Sequence, residues 1–443
     1  MSLKVTAIFD IGKTNKKFFL FDEKLNEVYR EYIQFSQISD DDGFECDNLA
    51  AIEKWMLKTY KRIRSDDRFE VQAINFSAYG ATMVHLDEAL RPVTSLYNYT
   101  KPYPDEILKL FTKKHGELQT WSQQTASPAL GMLNAGLQMF WLKYQKPLLF
   151  KKIKYSLFLP QYFSFLFSKK LLTDYTGIGC HTGMWNFEYS EFNNWMYEEG
   201  FAELLPGITT EKDILNMPGT SIKVGAGIHD SSSALIPYVN NNTQPFILLS
   251  TGTWSICLNP FNNSKITNEE LKQDCLCYLQ PNGKPVKASR LFLGNEYSNW
   301  IKKIAQHFNV DESFHKTVVF DAALFNKAER ILSPLFCWDS ITHPNNEITL
   351  ITNMNLSWFE SFEEAYHHLL KELVDLQIEK LRLVINGQSI KKIYLDGGFV
   401  DNLIFINILA EKLPGFQIVP SKIPLGSALG AAMAMNKESH LIL

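Results

Sequence analysis

The chain has 443 residues, 45% hydrophobic and 21% charged, an ordinary globular composition. One core rarely grows past roughly 250–300 residues, so two or more domains are expected. The formal net charge of −4 gives no general pull toward nucleic acid or an anionic membrane surface. No apolar run approaches the roughly 18–20 residues a bilayer requires, and Val5–Phe9 is too short for a signal-peptide core, so a cytoplasmic protein is expected. The six cysteines follow no metal or disulfide spacing, and Cys275 and Cys277 read as reduced thiols in a strand.

In chain order, Val5–Phe9 is an apolar run of strand length, followed by a turn with Gly12 and Thr14 and a second β-rich run to Asp22. Glycine lets the backbone approach a ligand, and free N–H groups beside hydroxyls make an anion pocket. Asp10 ends the buried run, where a carboxylate is costly unless paired or bound to a cation. Beside a phosphate-sized turn that cation fits Mg²⁺ reached partly through water. Alternation points Lys13 and Lys17 to one side, and Lys16 reads as a solvated edge. Asp47 and Asn48 offer N-cap chemistry to a helix carrying Leu49, Ile52, Trp55, Met56, Tyr60 and Ile63. Val71–Phe76 then reads as a strand, giving an α/β pattern. Leu96–Phe150 is rich in aromatics and turn formers, which suits a lid or cap, and Lys169–Trp195 reads as loop.

In Gly225–Leu235, small neighbours surround His229 and Asp230. An aspartate there either takes a proton from a substrate hydroxyl or caps a helix starting at Ser231. Pro237–Thr243 reads as a linker, which places a domain boundary near 240 and divides the chain into 1–240 and 241–443. Phe246–Leu258 repeats the plan of the first hairpin: a short apolar run, a turn with Thr251, Gly252 and Thr253, then Ser255 and another β-rich run. Two such hairpins can grip a polyphosphate from both sides. Phe362–Leu383 has the spacing of a long amphipathic helix. Ile393–Leu395 reads as a strand running into Asp396-Gly397-Gly398, ahead of a helix whose N-terminus favours anions.

Taken together, these segments resemble the FGGY family of carbohydrate kinases. The resemblance implies the sugar kinase–actin ATPase (ribonuclease H-like) fold, two α/β domains with a cleft between them. DIGKTNKK resembles the first phosphate loop, placing Gly12, Thr14, Asn15 and Lys17 at the nucleotide. LSTGTWS resembles the second loop, with Thr251, Gly252 and Thr253. FLGNEY brings Gly294, and DGGFVDN brings Gly397, Gly398 and Asn402, to the nucleotide. IPLGSALGAAMAM (Ile423–Met435) resembles the closing helix of the family. GIHDSSSA matches the segment of the catalytic aspartate, which falls on Asp230, with His229 as a substrate contact. YGATMVHLD resembles the sugar-side strand and LYNYTKPYPDE the turn after it, so Gly80, Ala81 and Tyr99 are expected to line the sugar site.

The resemblance implies ATP and Mg²⁺ as cofactors, with Asp10 and Asp230 as the metal residues, and a small-molecule sugar as the partner. GTWS and Gly-Ile-His-Asp lean toward kinases of the rhamnulose and fuculose type. A homodimer is left open. The rival readings are an actin-like ATPase and a non-catalytic sugar or nucleotide sensor. Two positions depart from the family pattern: Lys13 replaces a small or hydroxyl residue, and Gln161 an aspartate.

Overall fold

The computed structural model describes residues 2–209, 214–338, 355–385, 387, 389–421 and 426–436. Two sheets built on the same plan dominate it. In the first, β1 (Leu3–Ile11), β2 (Lys16–Asp22) and β3 (Glu27–Ile33) form an antiparallel meander, and β4 (Phe69–Ala78) returns parallel to β1. The short strands Lys223–Val224 and Ile228–His229 continue the sheet on the far side of β4. In the second, β5 (Ile247–Thr251) and β6 (Ser255–Asn259) form the hairpin and β7 (Cys275–Leu279) pairs with β8 (Pro285–Leu291). β8 also pairs with β6, and β9 (Lys392–Gly397) and β10 (Gln417–Pro420) complete the parallel side. Each sheet therefore centres on a hairpin whose first strand has a parallel neighbour.

Both faces of each sheet are covered, which is why β1 is a continuous apolar run. Ala7 and Phe9 face the helix Leu49–Arg64 through Ile52, Trp55 and Met56. Ile8, Phe19 and Phe21 face Ala428, Leu429 and Ala432 of the helix Gly426–Met433. On the second sheet, Leu249 and Leu395 pack with the long helix Phe362–Ile385, while Leu248 and Leu258 pack with Leu235 and Tyr238 of the helix Asp230–Asn241. The helices Asp230–Asn241 and Gly426–Met433 cross in close contact, a Cβ on Gly430 falling 1.8 Å from the Ser233 carbonyl oxygen.

That crossing corrects the reading of Pro237–Thr243 as a linker. The helix continues through Pro237 to Asn241, and Tyr238 is buried. Proline supplies no N–H to the carbonyl four residues back, that of Ser233, and that carbonyl is the one Gly430 lies against. Leu96–Phe150 is also more regular than expected. It contains the helices Asp105–His115, Leu118–Thr125 and Ala135–Gln145, whose aromatics Phe111, Trp121, Phe140 and Trp141 form a core of their own. Within Lys169–Trp195 the strand Thr173–Asp174 and the helical turn Tyr175–Ile178 are set. Of the closing segment, Gly426–Met433 is helical, and Ile423–Leu425 lie outside the described residues.

Candidate active site

Asp10 lies in register with Ser77 of β4, as does Ile228, while Ile11 and His229 both pair with Ala78. Asp10 and Asp230 thus leave the same edge of one sheet, from the strands flanking β4. Asp10 is 4% exposed, and its Oδ2 accepts from Lys17 Nζ at 3.3 Å and from Ser427 Oγ, on the closing helix, at 3.1 Å. In the turn that follows, the Gly12 N–H bonds the Asn15 carbonyl at 3.0 Å, with Thr14 and Asn15 exposed. The second hairpin closes in a similar way, the Gly252 N–H bonding the Trp254 carbonyl at 2.9 Å, with Gly252 and Thr253 exposed.

Three glycines gather on this second turn. A Cβ at Gly294 would stand 2.1 Å from the Gly252 carbonyl oxygen, and one at Gly397, where φ is +86°, 1.8 Å from that of Thr251. The Gly398 N–H donates to the Thr251 carbonyl at 2.7 Å. Thr251 itself is buried, its hydroxyl donating to the Asp396 carbonyl at 2.6 Å and accepting from the Phe399 N–H at 3.0 Å. That hydroxyl clamps β5 to the end of β9. Asn402 caps the helix Leu403–Lys412, accepting from the Phe405 N–H at 3.1 Å, and its amide donates to the Tyr366 hydroxyl.

Asp230 opens the helix Asp230–Asn241 as its first residue, so it is not that helix's N-cap. Its Oδ1 accepts from the Ser231 N–H at 2.6 Å and lies 3.1 Å from His229 Nε2. Burial would raise its pKa, but His229 and the Ser231 donors outweigh it and hold the carboxyl below the usual range. Burial likewise opposes a charged His229, yet Cys180, 3.1 Å away, and Asp230 push it up to about 10. His229 Nδ1 is buried and has no hydrogen-bond partner among the described residues.

Gly80 makes room for this cluster: a Cβ there would meet Cys180 Sγ at 2.2 Å and His229 Nε2 at 3.0 Å. Ala81 is buried at a φ of +55°, its carbonyl held by the Gln138 amide at 2.6 Å. The Tyr99 ring lies 6.3 Å from that of Tyr79, and burial with the charges of Asp230 and Asp47 pushes its phenol up to about 12.

The lysines correct the alternation argument. Lys16 is 1% exposed, its ammonium on Asp47 Oδ1 and the Lys13 carbonyl, both at 2.9 Å. Lys13 joins it on Asp47, away from Lys17. The helix Leu49–Arg64 is capped by Asn48 alone, leaving the Asp47 carboxylate to these lysines and the Tyr79 hydroxyl. Gln161 is fully buried, donating to Asp174 Oδ1 and to the Gly227 carbonyl, both at 2.8 Å. A neutral amide avoids setting a second carboxylate against buried Asp174 and braces the segment that leads into His229.

Asp396 was not among the expected site residues. It is the last residue but one of β9, ahead of a glycine turn, as Asp10 is of β1, a parallel that was visible in the sequence. Burial pushes its carboxyl up to about 6, and its Oδ2 would lie 2.6 Å from a Cβ on Gly426, next to the Ser427 that touches Asp10.

Residues 5–231 match the model of the FGGY family of carbohydrate kinases, N-terminal domain, and residues 243–441 that of the carbohydrate kinase FGGY C-terminal domain. The chain belongs to the FGGY family of carbohydrate kinases. It is similar to a rhamnulokinase of Halalkalibacterium halodurans, 27% identical over 262 residues, which cover 56% of this chain and 52% of the relative. The chain thus spans about half of that relative's length. A rhamnulokinase of Oceanobacillus iheyensis is 23% identical over 347 residues, 70% of this chain and 68% of the relative. Among solved structures, a carbohydrate kinase from Novosphingobium aromaticivorans superposes with a TM-score of 0.79 at 20% identity, over 100% of this chain and 93% of the other. A xylulose kinase from Lactobacillus acidophilus superposes with a TM-score of 0.77 at 15% identity, over 98% and 89%. These likenesses show the fold, the two-domain α/β sugar-kinase fold expected from the sequence.

Proposed function

We propose that this FGGY chain is an ATP-dependent carbohydrate kinase that transfers the γ-phosphoryl to a hydroxyl of a sugar. The acceptor in this reading is a (deoxy)ketose such as rhamnulose or fuculose, supported by the rhamnulokinase relatives. The observation that carries the reading is the shared sheet edge from which the first glycine hairpin, Asp10 and Asp230 all emerge.

Asp230 is the general base. His229 and Ser231 engage its Oδ1, so Oδ2 is the atom that takes the proton of the sugar hydroxyl. A carboxylate held low is a weak base, which suits phosphoryl transfer, where positioning and charge stabilisation dominate. The exposed turns Gly12–Asn15 and Gly252–Thr253 meet the phosphates, and Lys17 adds charge beside Asp10. Gly294, Gly397, Gly398 and Asn402 form the nucleotide side. The hard oxygens of Asp10 and Asp230 fit Mg²⁺, and among the described residues both hydrogen bonds of Asp10 fall on Oδ2. Held by Asp10 and Asp230, Mg²⁺ would supply positive charge to offset that of the transferring phosphate.

In this reading the lobes divide near residue 240, and the enzyme works in the cytoplasm as a monomer or homodimer. No described helix is long and apolar enough to cross a membrane. ATP consumption measured across a panel of ketoses, polyols and aldonates tests the proposal. We expect turnover with a ketose and almost none without a sugar. Equal turnover with and without sugar would support an actin-like ATPase instead, and tight binding without turnover a sensor.

A further inference from the structure

Lys13 belongs to the first phosphate loop by sequence, yet it is engaged away from Asp10. Its Nζ lies 2.8 Å from Asp47 Oδ2 and 5.4 Å from the ring centroids of both Tyr79 and Tyr99. Lys17 is the lysine that faces Asp10 across the hairpin.

The side chain of Lys13 is 24% exposed, that of Asp47 5%. An ammonium carries three donors, and Asp47 takes one. The same carboxylate also accepts from Lys16, at 2.9 Å, and from the Tyr79 hydroxyl, at 2.7 Å, so two cations share one anion. The ring faces of Tyr79 and Tyr99 attract the charge but accept no conventional hydrogen bond from it.

The Tyr99 ring packs on that of Tyr79, 6.3 Å away, and the charges of Asp230 and Asp47 both act on its phenol. Tyr79 leads directly into Gly80, against which His229 and Cys180 sit. Lys13 and the His229–Asp230 pair therefore approach the same Tyr79-Gly80 segment, Lys13 at the tyrosine ring and His229 at the glycine. A partly exposed cation that, among the described residues, spends one donor on Asp47 is in that position suited to binding an oxygen of the acceptor.

We propose that Lys13 is a specificity-determining residue of the acceptor site, its ammonium donating to a carbonyl, carboxylate or hydroxyl oxygen of the sugar. The proposal rests on the kinase reading above. It takes the lysine out of the nucleotide-phosphate set to which its place in the loop would assign it. It also gives a role to a residue that departs from the family pattern, since a small or hydroxyl side chain at position 13 would not reach Asp47 and the two rings.

Lys13→Met is the test, because Asp47 keeps Lys16 and Tyr79 and the loop keeps its hairpin bond. Steady-state constants would be measured with the sugar the wild-type chain turns over best, and ATP affinity without sugar by calorimetry. Loss of a charge-assisted hydrogen bond should raise the sugar KM roughly 10–100-fold, while ATP KM and Kd stay within about twofold. Weakened ATP with an unchanged sugar KM would overturn the proposal by returning Lys13 to the phosphates. Unchanged constants would overturn it by making Lys13 a surface lysine, and equal losses for both ligands by making it a brace of the loop. A wild-type chain inactive on every sugar would reject the kinase reading and this inference with it. An active wild type with an unaltered Lys13→Met sugar KM rejects the inference alone.

Discussion

Asp230→Asn is expected to cut sugar-dependent ATP turnover by about 10²–10⁴-fold while ATP still binds, since loss of a general base has that cost. The substitution is nearly isosteric. An amide oxygen still accepts the Ser231 N–H that Asp230 Oδ1 accepts at 2.6 Å, so the start of the helix is preserved. What is lost is the negative charge beside His229 and the ability to take a proton. Steady-state turnover together with a melting curve separates the catalytic role from a structural one. If Asp230 serves only the helix start, the variant loses ~1 kcal/mol of stability or less and keeps near-normal turnover, and that pattern would remove the residue from the mechanism.

Gly430→Val is expected to have the next largest effect, and through a different cause. Its Cβ would stand 1.8 Å from the Ser233 carbonyl oxygen, where the closing helix crosses the helix that starts at Asp230. The clash is with backbone, so one helix must move. Overpacking of this kind costs about 1–3 kcal/mol, a fall of roughly 1–3 °C in Tm for a chain of this size. The same movement displaces Ser427 from Asp10 and shifts Asp230, and a 1 Å misplacement in a site of this type costs up to about 10²-fold in rate. Gly415→Ala is the control, because a Cβ there meets nothing within 4 Å. Scanning calorimetry and turnover on the two variants check the expectation. An unchanged Tm and rate for Gly430→Val would show that the crossing does not hold the site.

The parts of this architecture that lie in local pattern were legible in the sequence. Both hairpins, the strand ahead of Asp396-Gly397-Gly398 and the long helix from Phe362 follow from apolar runs, glycine turns and helical spacing. What was hidden depends on partners distant in sequence. Lys16 reads as an edge lysine until Asp47, two residues ahead of the helix Leu49–Arg64, meets its ammonium. Pro237 reads as a breaker until Gly430 occupies the side of the helix that it leaves open. The helix Ala135–Gln145 escaped notice because residues 135–142 are buried on every side, which erases amphipathic periodicity. Thr251 matched the phosphate loop by type, but its hydroxyl is already committed to β9, so any phosphate contact there falls to the exposed Gly252 and Thr253. The candidate site residues were proposed from their motifs, whereas the bonds that fix them had to come from the fold.

The most direct test of the central claim is to follow the phosphoryl group itself by ³¹P NMR, with the full chain, Mg²⁺, ATP and a ketose. If the chain phosphorylates the ketose, the γ resonance is replaced by that of a sugar phosphomonoester, and little orthophosphate forms in the absence of sugar. Release of orthophosphate alone, at the same rate with or without the ketose, would contradict it.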